Sequence, residues 1–289
     1  MLKIIKVYYF LTKPGIVYGN AITAAAGFFF ASKQQINLPL FLSMIAGLSL
    51  IVAGSCAFNN YIDRDIDREM ERTKKRAIPA GKISGIHALI FAGILMLSGA
   101  VILLVYTNIL ALSIALVGAF VYIFLYTLAK RNSVYGTLVG SISGAVPPVV
   151  GYTAVSNNFN LAALLLFCVL VLWQMPHFYA IAIYRINDYK KALLPILPIK
   201  SGIKKTKIQI FIYIIACTMA IDAFSLLKYT GLVFFNVMSF ICLVWLFYAF
   251  KGFKTNDNVS WVKQIFHFSL IVIILFSIMI SVNSIFLLP

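Results

Sequence analysis

Long, unbroken apolar runs separated by short charged stretches set the pattern of this chain. They fall at roughly 14–32, 38–58, 84–105, 108–128, 134–154, 160–184, 207–227, 231–250 and 265–287, and each is long enough to cross a hydrocarbon core as an α-helix at about 1.5 Å per residue. A membrane barrel would alternate apolar and polar positions instead. The pattern predicts an all-α polytopic membrane protein with nine transmembrane helices, residues 1–289 forming a single transmembrane domain without a linker or second soluble unit. A composition of 62% hydrophobic residues and a mean hydropathy of +0.97 agree with that class. The basic leader is short and leads to no small-residue cleavage site, so no signal or transit peptide is expected.

A net charge of +16 would suggest a nucleic-acid partner if the charges were spread evenly. They are not. Lys3, Lys6 and Lys13 precede the first span, and seven basic residues fill 59–83. Lys130 and Arg131 follow the fourth span, seven more lie in 185–207, and Lys251, Lys254 and Lys263 follow the eighth. That is 22 of the 24 basic residues, leaving Lys33 and Lys228 on the other side. The positive-inside rule then places the N-terminus in the cytoplasm and the C-terminus outside, a parity that independently requires an odd number of spans. The basic charge therefore speaks for a lipid bilayer and against nucleic acid.

Five of the eight acidic residues (Asp63, Asp65, Asp67, Glu69 and Glu71) gather within nine positions just after the second run. Asn59, Asp63 and Asp67 read N-x-x-x-D-x-x-x-D. Steps of four put side chains on one helix face, here over roughly 12 Å of axis. Hard oxygen donors of this kind suit Mg²⁺, which takes one or two carboxylates and fills its shell with water and substrate phosphate. Arg68, Arg72, Lys74 and Arg76 lie just beyond and are candidates for the phosphate oxygens of a diphosphate. The competing reading is a solvated mixed-charge loop, and the regular spacing at a span's end argues against it.

Elsewhere, Tyr126 and Lys130 share a face at the cytoplasmic end of the fourth span and could reach the same phosphates; an interfacial Tyr and a snorkelling Lys is the alternative. Gly15, Gly19 and Gly27 in the first span, and Gly136, Gly140 and Gly144 in the fifth, suit close helix approach. The Pro147–Pro148 pair must disturb its helix, which lipid tolerates only against protein or a cavity, so a central cavity enclosed by the helices is expected there. Trp173, His177, Ile181, Tyr184 and Asp188 lie along one stripe of the sixth span. An ionisable side chain inside a membrane is a functional candidate, so His177 stands out, with packing as its alternative; Asp188 could complete a second metal site. Lys13 and Asn20 could face the site. The four cysteines have neither a disulfide framework nor zinc spacing and read as packing residues. Asp222, His87 and His267 suggest no chemistry.

Together, these blocks resemble the UbiA-type intramembrane prenyltransferase superfamily over about residues 10–270. The acidic motif carries the superfamily likeness, and Trp173-Gln-Met-Pro-His177-Phe narrows it to the haem branch. Two departures are Ala77 where Arg-Pro is usual, and a sparse second acidic motif at Asn187-Asp188. The resemblance implies farnesyl transfer from farnesyl diphosphate to a vinyl group of haem b, with water added. It implies Asn59, Asp63 and Asp67 as Mg²⁺ ligands with Asp188 as a weaker second-site candidate. Arg68, Arg72, Lys74, Arg76, Tyr126 and Lys130 would bind diphosphate. Asn59, Asp63, Asp67, Lys130 and His177 would form the catalytic set, and Trp173, His177 and Tyr184 would line the acceptor side. A bacterial cytoplasmic (inner) membrane and a haem-copper oxidase or haem-processing partner are the expected setting. The rival readings are a prenyltransferase acting on an aromatic quinone precursor and, more remotely, an ion-coupled transporter.

Overall fold

The structure is a computed structural model describing residues 2–286. Among these residues nine helices are long and apolar enough to span a membrane. They are α1 (Pro14–Ser32), α2 (Leu38–Ile62), α3 (Gly85–Tyr106), α4 (Ile109–Asn132), α5 (Gly136–Ser156), α6 (Leu161–Tyr184), α7 (Gly202–Leu226), α8 (Leu232–Lys251) and α9 (Asn258–Phe286). Several begin on side-chain caps that satisfy otherwise unpaired backbone N–H groups. Asn37 accepts from Leu40 N–H, Ser84 from His87 N–H, Asn108 from Ala111 N–H, and Asn160 from Ala162 and Ala163 N–H. Short helices occupy the charged stretches: Leu2–Leu11, Arg64–Glu69, Ile186–Lys191 and Leu197–Lys200.

The nine apolar runs correspond one for one to these helices, but several helices outrun them. α7 starts at Gly202 and α9 at Asn258, because Lys204, Lys205 and Lys263 ride on helical turns beyond the apolar stretch. Hydropathy marks the lipid-facing length, whereas hydrogen bonding continues into the interface. α2 likewise runs past residue 58 to Ile62.

The helices form a ring. α2 lies along α3, α1 along the C-terminal half of α5, α6 along α7, and α9 packs on both α1 and α6. The α1–α5 crossing is close enough to require glycine. A Cβ on Gly27 would lie 1.9 Å from Pro148 O, and one on Gly151 1.9 Å from Ala24 O. Gly15 and Gly19, by contrast, meet no neighbouring helix and line a cavity instead. The double proline divides α5 at Ala145 into Gly136–Gly144 and Val146–Ser156, and Pro147 lines the same cavity. α4 contains a π-helical segment, Val121–Tyr126, a local widening that recurs at functional sites. All four cysteines are free thiols; Cys56 is buried and borders the cavity.

Candidate active site

The C-terminal end of α2 builds the site. The helix ends at Asp63, yet the four-residue rhythm persists across the break: Asp63 N–H donates to Asn59 O at 2.9 Å and Asp67 N–H to Asp63 O at 2.8 Å. Asn59, Asp63 and Asp67 are therefore stacked, and all three are buried, at 2%, 5% and 2% exposure. Thr73 Oγ1 donates to Asp67 O at 3.0 Å and ties the following loop down. Taking two carboxylates out of water costs several kcal/mol each unless they are paired, and every member of the ladder meets a cation. Lys13 Nζ donates to Asn59 Oδ1 at 2.7 Å. Lys130 forms an ion pair with Asp63. Arg76 Nη1 donates to both Asp67 oxygens, at 3.0 and 2.7 Å.

Lys130 reaches Asp63 because α5 lets the end of α4 come close. A Cβ on Gly136 would lie 2.6 Å from Lys130 Cα, and one on Gly140 3.0 Å from the Tyr126 ring. The π segment stacks Tyr122 on Tyr126, centroids 5.6 Å apart and 12° from parallel. Tyr122 OH lies 3.3 Å from Asn59 Oδ1, and Lys130 Nζ sits 5.3 Å from the Tyr126 centroid. Arg131 adds a further clamp, donating at 2.8 Å to Ile62 O and to both oxygens of Asp65. The Arg131 hydrogen bond holds the Asp65 carboxyl below the usual carboxylate range. Lys13 occupies a left-handed backbone conformation (φ 53°) where the leader helix ends and α1 begins. Burial pushes its ammonium down to about 8, Arg76 adding to the shift while Cys56, Asp63 and Asp67 oppose it.

An apolar cavity of about 420 Å³ adjoins the Asn59 end of the ladder through Cys56 and Tyr122, and its wall also includes Gly144, Pro147, Trp173 and His177. His177 Nδ1 lies 2.7 Å from Ser269 Oγ, its ring stacks on Trp173 at 5.0 Å, and Trp173 Nε1 donates to Ser269 O at 2.7 Å. A second hollow of about 1030 Å³ lies beside Lys13, with Arg72, Arg76, Lys6, Lys75 and Lys82 on its wall.

Asn59, Asp63, Asp67, Arg76, Tyr126 and Lys130 thus form one cluster, Trp173 and His177 line the adjoining cavity, and Arg72 borders the basic hollow. The remaining candidates lie elsewhere. Arg68 is exposed. Lys74 is paired with Glu71 at 2.5 Å, its side chain 45% exposed. Tyr184 is 42% exposed, is absent from the cavity wall, and faces Arg185 and Lys263. Seven residues beyond His177 is about 10 Å along a helix, which carries Tyr184 past the cavity into the interface. Asp188 is half-buried on the short helix Ile186–Lys191, and among the described residues no three His, Cys, Asp or Glu side chains are grouped closely enough to hold a metal. Its neighbour Tyr189 approaches the cluster. Burial pushes that phenol up, Tyr126 adding to the shift while Arg72 and Lys130 oppose it. Sequence reasoning gave no role to Arg131, Tyr122 or Tyr189. The four-residue spacing of Tyr122, Tyr126 and Lys130 was the available signal for Tyr122.

The ladder suits Mg²⁺ delivered with a phosphate ligand. Asp63 Oδ1 is buried and accepts no hydrogen bond, leaving a carboxylate oxygen open. Two carboxylates and an amide oxygen match the few protein ligands Mg²⁺ takes when phosphate and water complete its shell.

Nine membrane-spanning helices among the described residues, with a buried oxygen ladder, facing cations and an apolar cavity, define an intramembrane transferase of prenyl groups, and the comparisons agree. Residues 20–271 match the UbiA prenyltransferase family, and the chain belongs to that family. It is 48% identical over 280 residues to the protoheme IX farnesyltransferase of Yersinia pseudotuberculosis, covering 96% of this chain and 95% of the relative. Among solved structures, a digeranylgeranylglyceryl phosphate synthase superposes with a TM-score of 0.81 at 22% identity, covering 99% of both chains. A UbiA homologue from Archaeoglobus fulgidus bound to GPP and Mg²⁺ superposes at 0.69 and 17% identity, covering 95% of this chain and 99% of that one.

Proposed function

We propose that this chain is a protohaem IX farnesyltransferase. It transfers the farnesyl group of farnesyl diphosphate to a vinyl group of haem b and adds water, giving haem o and diphosphate. The observation that carries the reading is the buried ladder Asn59–Asp63–Asp67 met by Lys13, Lys130 and Arg76 at the edge of an apolar cavity. The near-full-length likeness to relatives bearing that name supports haem as the acceptor.

Asn59, Asp63 and Asp67 would hold Mg²⁺, which when bound supplies Lewis-acid stabilisation of the departing diphosphate. The chain's own residues do the rest. Lys130 and Arg76 would turn from the carboxylates to the phosphate oxygens and stabilise their growing charge, and Arg72 borders the adjoining hollow. The C–O bond of the allylic diphosphate breaks with its electron pair leaving on oxygen. The terminal vinyl carbon then attacks the allylic cation. Water adds to the resulting carbocation beside the macrocycle and loses a proton. The apolar cavity wall keeps water from the first cation.

The charge pattern supports a cytoplasmic N-terminus, an outward C-terminus and a single domain in a bacterial cytoplasmic membrane. A haem-copper oxidase or a haem-processing enzyme would consume haem o. Mass analysis of haems extracted from membranes expressing the wild type and Asp63→Ala tests the function. The wild type should yield haem o and the variant almost none at equal membrane abundance. A prenylated aromatic acid in place of haem o would overturn the assignment of the acceptor.

A further inference from the structure

We propose that Nε2 of His177 is an axial ligand to the iron of the porphyrin acceptor, an inference that rests on haem being that acceptor. The tautomer follows from a hydrogen-bond chain. Ser269 Oγ lies 2.6 Å from Phe266 O and 2.7 Å from His177 Nδ1. A hydroxyl that gives its single proton to the carbonyl accepts from Nδ1–H, and this is the arrangement the proposal uses. That leaves the Nε2 lone pair free, and Nε2 has no hydrogen-bond partner among the described residues.

Three further observations fit a ligand better than a packing residue. First, the ring is held in a fixed plane, stacked on Trp173 at 5.0 Å and against Phe266 at 4.7 Å. Second, Ser269 is itself anchored, fully buried and with its carbonyl accepting from Trp173 Nε1. Imidazoles that bind metals commonly donate their other N–H to a fixed oxygen in this way. Third, His177 lines the apolar cavity. Cys56 and Tyr122 also line it, but Tyr122 lies against Asn59, and Cys56 is one turn before Asn59 on α2. That is the end at which the reacting vinyl edge must sit, so they are poorly placed for the iron at the centre of the macrocycle.

The test uses purified full-length protein in nanodiscs without prenyl diphosphate. Ferric protohaem, zinc protoporphyrin IX and metal-free protoporphyrin IX are each titrated by absorbance. His177→Ala should weaken both metalloporphyrins while metal-free protoporphyrin binds as to wild type. Ser269→Ala, which frees the imidazole but keeps it, should weaken protohaem by about tenfold, the lower end of the loss seen when the partner of a metal-bound histidine is removed. Resonance Raman of the ferrous wild-type complex should show an iron–histidine stretch that His177→Ala removes. Equal weakening of all three porphyrins, or a stretch that survives in His177→Ala, would overturn the ligand assignment alone. A wild-type protein that binds none of the three would instead overturn haem as acceptor, and the ligand with it.

Discussion

The ion pair between Lys130 and Asp63 allows its resting role to be separated from its role in turnover. Both side chains are largely withdrawn from water, at 15% and 6% exposure. Removing one partner of such a pair leaves the other buried and uncompensated, at a cost of about 3–5 kcal/mol. The Arg131 guanidinium, 3.8 Å from Asp63 Oδ1, lies near enough to soften the loss when Lys130 goes. Lys130→Met should therefore fall near the lower end of that range and Asp63→Asn within it. The double variant Asp63→Asn/Lys130→Met carries neither charge and should be more stable than the sum of the single losses by about 2 kcal/mol, within the range of coupling energies for contacting groups. Activity should behave differently. If Lys130 moves to the phosphate oxygens during reaction, each single variant loses about 10²–10³ in turnover, and the double variant recovers none of it. Thermal unfolding in detergent reads the first quantity and haem o formation by mass analysis reads the second. Additive stability losses would refute the pairing energetics. Restored turnover in the double variant would refute the role of Lys130 toward phosphate.

Chelation of divalent metal should abolish haem o formation, with activity returning on addition of Mg²⁺. Without diphosphate the unfolding temperature should not change on chelation, because the metal arrives with phosphate and Lys13, Lys130 and Arg76 face the ladder oxygens in its absence. Gly151→Ala places a methyl group against Ala24 O and should destabilise the protein by about 1–3 kcal/mol, whereas Gly93→Ala, which meets nothing within 4 Å, should leave the thermal midpoint unchanged. Tyr184→Ala should retain full turnover, as its ring lies outside the cavity; a loss of haem o formation at normal protein abundance would return Tyr184 to the acceptor side.

What the sequence made legible was periodic and local. The apolar runs located the nine spanning helices found among the described residues, and the spacing of Asn59, Asp63 and Asp67 survived even the helix end at Asp63, because the backbone hydrogen bonds continue through it. The partners of the ladder were harder to read, since Lys13 and Lys130 lie 46 and 67 residues from the oxygens they meet, and only folding brings such positions together. Proximity along the chain misled for Lys74, which pairs with Glu71 three residues away. The stripe through Trp173 and His177 located one wall of the cavity but not where that wall ends, so Tyr184 was carried along with it. For Gly15 and Gly19, composition suggested helix contact where the structure has open space, because a small residue serves a cavity as readily as a crossing.

The π segment of α4 has a consequence for how this stretch tolerates change. One surplus residue within 121–126 sets the rotation of everything that follows, including Tyr126 and Lys130. Rewinding the segment as an ordinary α-helix with all six residues kept would turn everything after it by one residue, about 100°, and swing Lys130 away from Asp63. Conservative replacements at Phe124 or Leu125, which face outward, should pass almost unnoticed. It is therefore the wide turn of this segment, more than the identity of its outward side chains, that keeps the lysine aimed.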